Sequence, residues 1–97
     1  MADAITLRVL TQAGPAVDDE AVSIIAPGEV GYLGILRNHA PLVTTLKPGT
    51  LTWRRPDGAT HTRLIGGGLL EVTHNAVTIL TDGVGSLGEE AARGGPQ

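Results

Sequence analysis

Apolar residues recur in this chain with a period of two, in short runs, and a turn signal interrupts them roughly every 8–12 residues. Ile5, Leu7 and Val9 alternate with Thr6 and Arg8, the pattern of a strand with one buried face. Gln12 to Ala16 breaks the run with Gly14 and Pro15. Ala21 to Ala26 is a predicted second strand, stopped by Pro27 and Gly28. Tyr32 to Leu36 is a third and Leu42 to Leu46 a fourth, closed by Pro48 and Gly49. Leu51 and Trp53 alternate with Thr52 and Arg54, and Asp57-Gly58 then predicts a tight hairpin to Thr60 to Ile65. Leu69 to Thr73 and Ala76 to Thr81 form the next pair, joined at His74-Asn75, because Asn tolerates the positive φ of a short turn. Val, Ile and Thr dominate these runs, and their branched side chains pack well on a pleated surface. No segment before residue 86 has the i, i+3, i+4, i+7 spacing of an amphipathic helix. The expectation is all-β, a sandwich or barrel of about eight short strands.

The 97 residues suit one domain with a small aliphatic core, for there is one Trp, one Tyr and no Phe. The net charge of -3 argues against nucleic acid, whose affinity rests on Lys and Arg neutralising phosphates. With no cysteine, disulfides and thiolate metal sites are excluded. Residues 1–20 include Asp3, Asp18, Asp19 and Glu20 and do not read as a signal or transit peptide. No apolar run approaches the roughly 20 residues that span a bilayer. Membrane association is therefore expected only through a partner. From Gly83 onward the sequence turns rich in Gly. Residues 1–82 are expected to form the domain and 83–97 a short flexible tail, with Ser86 capping at most one frayed helical turn.

Candidate chemistry is sparse. His39 is placed in a loop, His61 on a polar-leaning strand face and His74 at a turn, with no spacing that brings two onto one side of a strand, so no metal site is expected. Neither Ser23 nor Ser86 lies in a Gly-x-Ser-x-Gly elbow. Asp18, Asp19 and Glu20 read as a solvated loop without the apolar surroundings that raise a catalytic pKa. Gly28, Gly31 and Gly34, and Gly66 to Gly68, precede strand patterns rather than the helix that a phosphate loop requires, so they read as turns. Arg54, Arg55 and Arg63 form an expected basic patch at a hairpin. Leu10, Ile25, Ile65, Leu69 and Leu80 fall on the opposite parity to their strands' main core residues. That predicts an exposed apolar face of the kind that binds protein. No catalytic residue and no cofactor are expected.

The run from Gly31 to Gly49, with Gly67-Gly68-Leu69-Leu70-Glu71-Val72 and Val77-Thr78-Ile79-Leu80-Thr81-Asp82, resembles the epsilon subunit of bacterial F-type ATP synthase. The family reads G-E-L-G-I-L/Y-P-G-H-A-P-L-x-T-x-L/I-K-P-G in the first stretch, then G-G-x-L-E-V and V-T-V-L-A-D. The resemblance covers roughly residues 5–82 in order and spacing. It implies a flattened β-sandwich of 8–10 short strands acting as a non-catalytic central-stalk rotor subunit. Such a subunit docks on the gamma subunit and the c-ring, inside the alpha3-beta3-gamma-delta-epsilon assembly, and couples proton translocation to ATP synthesis. The subunit would be peripheral on the cytoplasmic side of the bacterial inner membrane. A stand-alone β-sandwich adaptor is the alternative. The implied partner interface comprises Gly31, Tyr32, Leu33 and Gly34, then Arg37, Asn38, His39, Ala40 and Pro41, and finally Lys47, Pro48 and Gly49. Tyr32 replaces the family's Glu, so a charged contact is expected to become aromatic. Arg37-Asn38 replaces its Pro-Gly. The family's C-terminal helical hairpin, which can block ATP hydrolysis, is expected to be missing.

Overall fold

The computed structural model describes residues 4–86, and every regular element among them is a strand. The elements are β1 (Ile5–Thr11), β2 (Gly14–Ala21), β3 (Ser23–Pro27), β4 (Tyr32–Leu36), β5 (Leu42–Leu46), β6 (Gly49–Arg54), β7 (Thr60–Ile65), β8 (Gly68–Thr73), β9 (Ala76–Thr81) and β10 (Val84–Ser86). They form two five-stranded sheets, ordered β2-β1-β9-β8-β5 and β10-β7-β6-β3-β4. All pairings are antiparallel except β1 with β9. The result is the sandwich expected from the alternation.

Each sheet turns one face inward, as the pleat dictates. Ile5, Leu7 and Val9 of β1, Leu70 and Val72 of β8, and Val77 and Ile79 of β9 are buried from one sheet. Ile24, Ala26, Ile35, Leu51, Trp53 and Ile65 meet them from the other. Each fully buried Leu or Ile contributes about 1.5–3 kcal/mol relative to an exposed one.

The chain passes between sheets at a few tied points. At Val22 the backbone N–H donates to the Arg54 carbonyl, 2.8 Å away. Lys47 N–H donates to the Pro27 carbonyl at 2.9 Å, beside a bridge between Gly28 and Leu46. Gly66 N–H bonds Gly83 O at 3.1 Å and Asp82 N–H bonds Gly67 O at 3.3 Å. The crossing at Val22 corrects the second predicted strand. Ala21 ends β2 in one sheet, and Ser23 begins β3 in the other.

Three further corrections follow from the pairing. Asp18, Asp19 and Glu20 are not in a loop. They lie in edge strand β2, opposite Arg8, Leu7 and Thr6 of β1. Val84–Ser86 is β10, paired to Ile65, Leu64 and Arg63, so the sheet extends past residue 83 and Ser86 is a strand residue. The expectations for residues 87–97 lie outside the described residues. Finally, Ile65 is buried rather than outward, because the inward face of β7 is His61, Arg63 and Ile65.

That inward face of β7 is polar because it packs on Trp53. The His61 ring stacks on the indole at 5.5 Å between centroids, and the Arg63 guanidinium lies 5.6 Å from the ring centre. The indole N–H donates to Asp19 Oδ2 at 2.9 Å, and the other carboxylate oxygen of Asp19 pairs with Arg55. Arg55 also lies 3.6 Å from Asp57. The expected basic patch is thus dismantled: Arg55 is ion-paired and Arg63 covers Trp53. The clasp from Asp19 on β2 to Trp53 on β6 joins the two sheets along one flank.

The clasp sets a pH dependence. Burial pushes the Asp19 carboxyl up, but the Trp53 indole N–H, the Glu20 backbone N–H and Arg55 together hold it below its ordinary value of 3.8. A lowered native pKa contributes stability that is present above the unfolded value and is lost as pH falls through the native one. Asp19→Asn keeps an acceptor for the indole but loses the charge. It should cost about 1–2 kcal/mol at pH 7, and the gap to the unmodified protein should shrink below pH 3.8. Urea unfolding of both proteins at pH 7 and pH 3 checks this, and a gap independent of pH would refute it.

Candidate functional site

The run from Gly31 to Gly49 does not form one surface. Strand β4 carries the chain from one end of the sandwich to the other, and β5 brings it back. Five residue steps from Tyr32 to Arg37 span about 16 Å. Gly31 and Tyr32 therefore share the near end with Lys47, Pro48 and Gly49. Arg37, Asn38, His39, Ala40 and Pro41 occupy the far end. Leu33 points inward and packs against the core, while Gly34 lies on the outer face of its sheet between the two ends.

The near end is knitted around Pro27. Proline has no N–H to give the ladder. Here the hydroxyl of Tyr32, the residue paired with Pro27, accepts the Thr50 backbone N–H at 3.1 Å. A Cβ on Gly49 would come within 2.8 Å of Pro27 Cβ and 2.9 Å of the Tyr32 hydroxyl, so only glycine leaves this seat open. Gly31 N–H bonds Gly28 O at 3.2 Å and closes the β3–β4 turn. Tyr32 is thus more than the exposed aromatic contact expected from the sequence. Its hydroxyl ties the β3–β4 turn to the β5–β6 turn, while over half of its surface remains exposed, 57%.

The far end is built differently. Asn38 has φ 65°, and His74 and Asn75, in the β8–β9 turn, have φ 49° and 59°. Asn38 therefore takes the left-handed conformation that Gly would supply. Its backbone N–H donates to Asn75 Oδ1 at 2.6 Å, and Asn75 Nδ2 donates to Asn38 Oδ1 at 3.1 Å. His39 Nδ1 lies 2.7 Å from the Ala40 carbonyl. A carbonyl only accepts, so Nδ1 carries the proton. Asn38, His39, Pro41, His74 and Asn75 line an open cleft of about 410 Å³. The sequence places His74-Asn75 at a turn but gives no sign that Asn75 partners this loop, since nothing local links positions 37 apart.

His61 stands apart from His39 and His74, against Trp53. Among the described residues no three His, Asp, Glu or Cys side chains gather as a metal-binding group.

The outer faces are partly apolar. Leu80 lies opposite Leu10 on one side and Leu69 on the other. The three line a groove of about 440 Å³ with Gln12, Gly68 and Asp82. On the other sheet Ile25 and Leu36 are exposed. Of the five residues expected to face outward, Leu10, Ile25, Leu69 and Leu80 do so at least in part, and Ile65 does not.

Comparison with known proteins identifies the domain. The beta-sandwich domain of the ATP synthase Delta/Epsilon chain matches residues 4–86. The ATP synthase epsilon chain of Moorella thermoacetica is 42% identical over 78 residues, which is 80% of this chain and 58% of that protein. That of Acidithiobacillus ferridurans is 45% identical over 83 residues, 84% of this chain and 57% of the other. The chain spans about half the length of the curated relatives it matches. A chain in the structure of the Euglena gracilis mitochondrial ATP synthase, covering OSCP, F1 and the c-ring, superposes with a TM-score of 0.83. It is 24% identical, and the match covers 97% of this chain and 62% of that one. At that identity the likeness speaks for the fold alone.

Proposed function

The chain belongs to the ATP synthase delta/epsilon family through that family's β-sandwich domain, and on that premise we propose that it is an epsilon-type, non-catalytic central-stalk subunit. It links the c-ring to the gamma subunit and turns with both, so that proton flow through the ring drives ATP synthesis. The subunit sits peripherally on the cytoplasmic side of the bacterial inner membrane.

The observation that carries this reading is the division of the motif run between opposite ends of a rigid sandwich. A part that transmits torque between two bodies needs two docking ends held at a fixed separation. Here the ends are joined by β4 and β5, each paired along one side at the edge of its sheet, and each end is locked by a side-chain bond between turns, Tyr32 to Thr50 and Asn38 to Asn75. The resemblance implies that the Tyr32 loop faces the ring and gamma, and we assign the 37–41 loop at the opposite end to gamma. Leu10, Leu69 and Leu80 offer further apolar area for an interface.

Hydrogen exchange on the free chain and on the assembled complex tests both ends. Amides of residues 28–32 and of 37–40 should exchange at least about tenfold more slowly in the complex. Equal rates in either loop would remove that end from the interface. Copurification with gamma from native membranes distinguishes the rotor subunit from a stand-alone adaptor, which would come away without it.

A further inference from the structure

The asparagine pair that ties the far-end turns leaves one group unused. A backbone N–H can only donate, so the atom 2.6 Å from the Asn38 nitrogen is the Asn75 side-chain oxygen. The Asn75 Nδ2 is thereby turned to Asn38 Oδ1, which accepts from it at 3.1 Å. This orients Asn38 in turn, and its own Nδ2, with two N–H donors, finds no acceptor among the described residues. Asn38 lines the cleft of about 410 Å³ beside His39 and His74, and no carboxylate lines it with them. Arg37, exposed and positively charged, precedes it in the chain.

We propose that this cleft is a socket for a carboxylate, taking one acidic side chain of the gamma subunit on the Asn38 Nδ2 donors. The proposal rests on the reading of the 37–41 loop as the gamma-docking end. An amide whose orientation is already fixed loses little freedom when it binds, and a charged acceptor strengthens the bond. One carboxylate suits the site better than a membrane or a nucleic acid would. The chain carries a net charge of -3, and Asp57 and Asp19 balance Arg55 at the same end, so no broad cationic field is present. The socket sets the specificity of docking rather than its strength alone, because a partner presenting a donor there would leave two donors facing each other.

Asn38→Asp is the informative variant. It retains the oxygen that accepts from Asn75, so the tie between turns survives, and Asp tolerates the positive φ of 65°. It replaces the outward donor with an anionic oxygen. Binding of the full chain to the gamma subunit, followed by titration calorimetry, should weaken about 30-fold or more in this variant, since a like charge now faces the carboxylate. Affinity within about threefold of the unmodified chain, read against that same scale, would overturn the socket and leave docking on gamma standing. Should the unmodified chain fail to bind gamma, the docking reading falls. The socket is then decided by sodium acetate against sodium chloride at equal ionic strength. A shift of the Asn38 Nδ2 proton resonances by acetate alone upholds it, and no difference between the salts overturns it.

Discussion

Replacing Gly68 with alanine should cost about 4 kcal/mol or more and lower the melting temperature by at least about 15 °C. Gly68 opens β8 and is the point where that strand comes hardest against β9. It has φ 149°, in the region where a Cβ is strained. A Cβ built there would lie 2.8 Å from the carbonyl carbon of Leu80 and 2.9 Å from the Thr81 Cα, with the Leu80 carbonyl oxygen closer still. All of these are backbone atoms, so no rotamer change relieves the contact. Relief requires β8 to move off β9, and that breaks the ladder from Gly68↔Thr81 to Thr73↔Ala76 that carries Leu70 and Val72 into the core. A domain with total stability of roughly 5–15 kcal/mol loses much of its margin in one step. Gly34 supplies the control. It lies in a strand too, but a Cβ there meets nothing within 4 Å. Gly34→Ala should therefore be neutral or stabilise slightly, by up to about 1 kcal/mol. Thermal melts of the two variants decide the matter, and equal losses at both positions would sink the explanation.

Much of the architecture was legible in the residues, and where it was not the reasons are physical. β1 alternates in sequence and in burial alike, because its inward residues are Ile5, Leu7 and Val9. Strand β2 was invisible for the opposite reason. Gly14-Pro15-Ala16-Val17-Asp18-Asp19-Glu20 contains almost nothing to bury, and its strand character comes from pairing along β1 as an edge. Its acidic side chains suit an edge that must not recruit another sheet. In β7 the alternation was read in the wrong phase. His61 and Arg63 are polar and yet face inward, because an indole offers them a π surface. β10 has three residues, one of them Gly, which is too short for any period to show. The motif run itself could be read, but its division into two ends could not. That depends on a strand crossing the sandwich within the run. The Asn38–Asn75 tie was beyond reach for a similar reason, since it is formed by two turns that only the packing of the sheets brings together.

The same non-local logic makes Trp53 the side chain whose loss should matter most. It is 2% exposed, and it is the only large aromatic in the core. Trp53→Ala should cost about 3–5 kcal/mol in urea unfolding, because it leaves a cavity that the β-sheet backbone on either side cannot close. The cavity is only part of the loss. His61 and Arg63, both half-buried on the inward face of β7, pack against the indole, so its removal also strips them of that contact. Asp19 loses its indole donor and keeps only the Arg55 pair and the Glu20 N–H. Trp53→Phe separates these contributions. It restores most of the buried ring and the stacking surface but not the N–H donor, so its cost should fall to about 1–2 kcal/mol. Combining Trp53→Phe with Asp19→Asn then tests the clasp as a unit. If the indole N–H acts through the Asp19 carboxylate, the double variant should be more stable than the sum of the single losses requires, by about 1 kcal/mol. Strict additivity would mean that Trp53 stabilises the fold by volume alone and that the bond between the sheets contributes nothing of its own. A positive coupling has a mechanical consequence. The clasp lies on the flank formed by β2, β6 and β7, at the end of the sandwich that carries the 37–41 loop, but none of its residues lines the cleft at Asn38, so a variant lacking it should still bind gamma while the sandwich between the two ends becomes easier to open.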